Sequence, residues 1–172
     1  MVSCNLSVEQ DVPDESVFIG SVGDPINEEL SGTASYAIFT DPVTGERGVL
    51  IQLISQRFRG VSLTGRVKDF PKRGIFEIVV YEDDDMMIDE VDENQIFGLY
   101  VHGVDVGNSE NFYTKSGVLS ITEYTDVHLQ GEFNFFAIGF SYVGEEGLPD
   151  TTSIEIFIEG EFIATETEIR FD

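Results

Sequence analysis

The chain is expected to be all-β: a single-domain antiparallel β-sandwich or a small calycin-like barrel of about ten strands. Three observations lead there. Apolar and polar residues alternate with a period of two over many short stretches. The clearest is Leu129-Gln130-Gly131-Glu132-Phe133-Asn134-Phe135, where Leu129, Phe133 and Phe135 share one face. Composition points the same way, with 17 glycines, 5 prolines, 14 phenylalanines and no tryptophan, a mixture suited to short strands joined by glycine turns. Finally, no window carries a helical apolar stripe, and no apolar run approaches the roughly 18 to 20 residues of a membrane-crossing helix, so no transmembrane segment is expected.

Residues 1–16 are polar and acidic with Pro13 among them, which suits an N-terminal tether; residues 17–172 form the all-β domain. Val17 to Ile19 is a first short strand, and Gly20 to Ser31, with Asp24-Pro25 and Glu28-Glu29, reads as a loop. Thr33 to Thr40 and Gly48 to Ser55 flank Asp41-Pro42-Val43-Thr44-Gly45, whose proline and glycine mark the turn of a hairpin. On the return strand Val49, Ile51 and Leu53 share one face while Leu50 and Ile54 share the other, the pattern of a central strand. Strands over Val61 to Val67 and Ile75 to Tyr81 follow, separated by Pro71 and Gly74, and then Ile96 to His102 and Phe112 to Thr114, with Gly103 to Asn111 as a loop.

The C-terminal third is the most strongly patterned. Gly117 to Tyr124 and the alternating run from Leu129 are antiparallel neighbours joined by Thr125-Asp126-Val127-His128. Phe136, Ile138 and Phe140 take the opposite parity to Phe133 and Phe135, which predicts a bulge or a change of sheet. Ile154, Ile156, Ile158 and Phe162 share a face across Gly160, itself expected to be a bulge. The series SGVLSITEY, LQGEFNFFA and SIEIFIEGEFIA, over about residues 112–164, resembles the C-terminal half of a group of small Bacteroidota lipoprotein β-domains. That resemblance implies an all-β domain tethered to an envelope membrane through a lipidated cysteine, outer-membrane or cell-surface in location, and it brings no catalytic motif. The run from Tyr81 to Gln95 is more acidic than the resemblance leads one to expect.

Charge narrows the partners. With 33 acidic residues against 9 basic ones, the formal net charge is −24. Nucleic acid is excluded as a partner, because duplex binding draws its affinity from Lys and Arg neutralising phosphates. Anionic bilayers are disfavoured on the same ground. The profile fits either an acidic surface kept for solubility or a halophilic setting, in which screening over about 3 Å at 1 M salt removes self-repulsion. The basic run Arg57-Phe58-Arg59 is expected to pair with nearby carboxylates rather than to bind an anion.

Cys4 is the single cysteine, so no intrachain disulfide forms; Val2-Ser3-Cys4 looks like the end of a bacterial lipobox, which makes Cys4 the candidate lipidation site. Catalytic motifs are lacking: His102 and His128 have no metal-ligand spacing and read as ordinary surface or edge histidines, and there is no phosphate loop, nucleophile elbow or zinc signature. No enzymatic activity and no cofactor are therefore expected, with Ca²⁺ as the one ligand considered. The acidic run Glu82 to Asn94 offers oxygen ligands, of which Asp83, Asp85 and Asp89 are the candidates, but Met87 falls where a ligand is wanted and the turn glycine of an EF-hand is missing.

Two function classes remain. The first is a non-enzymatic extracytoplasmic domain, envelope-bound or secreted, that acts as a structural or interaction protein, with a protein partner or self-association through a sheet edge. The second is a lipocalin-like or sandwich module for a small ligand, a glycan or calcium, with Phe76, Tyr100, Phe133 and Phe135 lining a cavity. A filled core with an exposed apolar face favours the first, and an interior cavity of roughly 300 Å³ or more favours the second.

Overall fold

The computed structural model describes residues 16–40, 45, 47–55, 59–66, 70–80, 94–105, 108–140 and 153–167, with backbone alone at 104, 105, 108 and 140. Every regular element among them is a strand: β1 (Val17–Val22), β2 (Glu28–Thr40), β3 (Arg47–Ser55), β4 (Arg59–Arg66), β5 (Gly74–Ile78), β6 (Gln95–Asp105), β7 (Asn108–Tyr124), β8 (His128–Phe140) and β9 (Ser153–Glu166). They form one sheet in the order β1-β2-β3-β4-β6-β5-β7-β8-β9, and β1 pairs with β9, so the sheet closes on itself as a barrel-like ring. Of the two architectures expected, the ring is the one observed.

Both expected hairpins are present. β2 and β3 pair from Gly32↔Ser55 to Thr40↔Arg47, and β3 is central, with β4 on its other side. β7 and β8 pair up to Tyr124↔Leu129, where Thr125 closes the turn through its amide to the His128 carbonyl at 2.9 Å. The first loop is shorter than expected, since β1 runs to Val22 and β2 begins at Glu28. Gly103 to Asn111 is likewise mostly strand. The segment Phe112 to Thr114 is not separate; it belongs to the 17-residue β7, whose register shifts between Thr114 and Ser116. That bulge swaps the inward parity from Phe112 and Thr114 to Leu119 and Ile121, which is why the sequence reads as two strands.

Two further expectations are corrected. β8 and β9 keep an unbroken register from His128↔Thr165 to Phe140↔Ser153, so neither Gly160 nor the Phe135-Phe136 step is a bulge. Parity along β8 simply continues, with Ala137 buried and Phe136 on the outer wall. Gly160 is required by close approach instead: a Cβ there would lie 2.7 Å from the Ile19 carbonyl and 3.0 Å from the Phe133 ring.

The ring is antiparallel except at two forks, each holding a short strand between longer ones. β1 sits between β2 and β9, which pair directly in parallel beyond it at Ser35↔Thr165. β5 sits between β6 and β7. Those two pair directly from Leu99↔Tyr113 to Asp105↔Asn108, then part to admit β5, whose Ile78 faces Ile96 in parallel and Gly117 in antiparallel sense. At that fork the Thr114 hydroxyl accepts from the Gly98 amide at 2.9 Å and donates to the Val79 carbonyl at 2.9 Å. A side chain thus supplies bonds that the parted ladder lacks.

All nine strands contribute to one buried apolar cluster. Its aromatic members pack ring against ring, as in Tyr36 with Phe70, Phe70 with Phe76, Tyr100 with Phe112, and Phe133 with Phe135 and Phe162, at centroid separations of 5.9 to 6.5 Å. Each such side chain contributes about 1.5–3 kcal/mol by leaving water. Phe76, Tyr100, Phe133 and Phe135, the residues expected to line a cavity or fill a core, are part of this packing.

Candidate functional site

Cys4, Asp83, Asp85 and Asp89, and with them the tether, lie outside the described residues. What the structure does bring together is a polar cluster at one mouth of the ring, where β2 and β4 begin and β6 ends. Ile96, Gly98, Tyr100 and His102 occupy alternate positions of β6, and the first three are buried, so His102 follows them on the inward parity toward the mouth. Its Nδ1 lies 3.1 Å from the Tyr100 hydroxyl and 3.5 Å from Glu28 Oε2. Glu28 Oε1 is paired with the Arg59 guanidinium, and Arg59 Nε donates to the Gly103 carbonyl at 3.2 Å. The expected pairing of Arg59 with a carboxylate is what the structure shows.

The side chains at this mouth are largely shielded, with Glu28 21%, Arg59 18% and His102 16% exposed. Glu28 Oε2 is buried and accepts no hydrogen bond from the described residues. Burial is the main reason the Tyr100 phenol is pushed up to about 12; Arg59 opposes the rise and Glu110 adds to it. Burial again, then the Arg59 charge, holds His102 below its ordinary 6.5, with Glu110 acting in the other sense. At neutral pH the imidazole is uncharged and the Tyr100 hydroxyl can donate to it. Two of the residues involved, Glu28 and Glu110, fall in segments that the sequence presents as loops, and His102, expected to be a surface or edge histidine, instead follows the inward parity of Tyr100.

His128 has a different setting. Its Nδ1 is 3.0 Å from Thr125 Oγ1, and its amide donates to the same oxygen at 3.1 Å, so it belongs to the turn between β7 and β8. Among the described residues no group of three or more His, Cys, Asp or Glu is arranged to hold a metal ion.

The outer wall carries a second feature. Phe136 and Phe157 are directly paired across β8 and β9, with ring centroids 5.0 Å apart, and Phe136 is 44% exposed. Val118 of β7 and Ile19 of β1 are also exposed on this wall, Ile19 at 55%. Next to the aromatic pair a groove of about 400 Å³ crosses β1, β9 and β8, floored by Gly20 and Gly160 and walled by Glu29, Glu132, Glu159 and Glu161. The parity of Phe136, opposite to Phe133 and Phe135, is the sequence signal for its outward placement; read as a bulge or a change of sheet, it instead marks an aromatic that stays on the outer wall.

No protein-family model, curated protein or solved structure matches this chain.

Proposed function

We propose that this chain is a non-enzymatic domain of the cell envelope or cell exterior that acts as a structural or interaction protein, meeting its partner through the outer wall of β8 and β9. The observation that carries the proposal is the Phe136–Phe157 pair on the outer wall of a ring whose inward aromatics pack against one another. Two adjacent phenylalanines facing water cost solvation free energy that an apolar partner would recover. Support for the envelope comes from the similarity of residues 112–164 to lipoprotein β-domains and from Val2-Ser3-Cys4, which places the lipid anchor on Cys4.

The test is site-specific photocrosslinking in the native host. A photoreactive phenylalanine analogue at position 136 should give a discrete adduct, one at Glu77 on the exposed face of β5 should not, and Phe157→Asp should abolish the adduct at 136. Equal labelling from both positions, or none from 136, would defeat the reading.

A further inference from the structure

The mouth cluster has a property distinct from the outer wall and independent of its use. His102 Nδ1 stands between two groups that require opposite things of it. The Tyr100 hydroxyl at 3.1 Å can donate only if Nδ1 bears no hydrogen. Glu28 Oε2 at 3.5 Å can, as a carboxylate oxygen, only accept, and among the described residues nothing donates a hydrogen bond to it. A single proton on the imidazole therefore changes which of the two is satisfied.

We propose that these residues form a proton-operated clasp across the mouth of the ring: neutral His102 takes the Tyr100 hydrogen bond within β6, and protonated His102 turns Nδ1–H to Glu28 and bridges β6 to β2. β2 and β6 are not neighbours in the ring, for β3 and β4 lie between them. The bridge consequently spans the opening, while the Tyr100 bond links two residues of the same strand. Glu28 can hold both cations at once, because Arg59 occupies its other oxygen. In the acid form β2, β4 and β6 share one carboxylate.

The charges facing His102 come from each packed element: Glu28 on β2, Arg59 on β4 and Glu110 on β7, with Tyr100 on its own strand. Burial and Arg59 oppose the proton, so the clasp engages only below the ordinary histidine range. The sign for stability follows. Between the depressed folded value and 6.5 the unfolded chain binds more protons than the folded one, so this group's contribution falls as pH drops through that window and is level below it.

Proton NMR of the imidazole resonances between about pH 8 and 5 tests the clasp. Only two histidines are present, so His102→Gln identifies its signal. The His102 midpoint should lie below 6.5, and the Tyr100 ring resonances should move with the same midpoint. Glu28→Gln should lower the midpoint by removing the negative charge that the protonated form pairs with. Tyr100→Phe, which deletes only a hydroxyl, should raise it by removing the donor that the neutral form uses. The second variant keeps the test open should the first fail to fold. A merely structural tyrosine would leave the titration where it was. Tyr100 signals that ignore the His102 titration, or a midpoint unmoved in whichever of these variants folds, would overturn the proposal.

Discussion

Replacing Thr114 by Val at the fork of β6 and β7 keeps the side-chain shape and removes one oxygen. That oxygen serves the Gly98 amide and the Val79 carbonyl, both at 2.9 Å, and Thr114 itself is only 2% exposed. Leaving a buried donor or acceptor unpaired costs about 1–3 kcal/mol. The Gly98 amide is buried and bears the full penalty, whereas the Val79 carbonyl is only partly buried and can recover a bond from water. The expected loss is therefore about 2–4 kcal/mol, which for a domain of this length lowers Tm by roughly 5–15 °C. Urea unfolding followed by circular dichroism at fixed salt measures it. Thr114→Ser is the control, since it keeps the oxygen and gives up only a methyl, a loss of about 1 kcal/mol. If the valine variant proved as stable as the serine variant, the hydroxyl would not be bridging the fork.

Three further outcomes are expected. The Tyr36 and Tyr100 phenols are pushed up to about 12, chiefly by burial, so the folded chain keeps protons that the unfolded chain releases above 10.0; stability should decline from that pH upward, with tyrosinate absorbance from these two appearing together with unfolding. With a net charge of −24, Tm at neutral pH should rise between low and molar sodium chloride and exceed any rise given by an uncharged osmolyte, and an unchanged Tm would remove self-repulsion as a factor. Gly160→Ala should destabilise by about 1–3 kcal/mol in denaturant melts, because the added methyl meets the Ile19 carbonyl at 2.7 Å, and a neutral result would show that β1 and β9 can move apart freely.

How far the sequence could be read depended on whether each feature was local. The hairpins of β2 with β3 and β7 with β8 were legible because an alternating strand, a turn and a second alternating strand are adjacent in the chain. The forks were not. Nothing near Ile78 shows that it will lie parallel to Ile96, because that pairing depends on β6 and β7 parting elsewhere. A bulge also hides itself: the step after Thr114 breaks the alternation by which a 17-residue strand would be recognised. Glu28 escaped notice because Asp24-Pro25 and two adjacent acids resemble a loop, although the chain turns tightly at Gly23 to Asn27 and re-enters the sheet at once. Tyr100 was readable as inward; His102, read as a surface or edge histidine, shares its parity, and the convergence of both with Glu28 and Arg59 required the ring to close.

That closure sets an order on the chain's manufacture. β1 is finished first and its second partner, β9, last, since Val17 to Val22 lie against Ile163 to Ile158. Until β9 has left the ribosome, β1 and β8 are both bare edges, with inward residues such as Phe18 and Phe133 unprotected. A cell producing this protein thus has β1 to β8 to keep from sticking to their neighbours before the pairing with β9 removes the hazard, and the chain's abundant negative charge would act on neighbouring nascent copies at that stage.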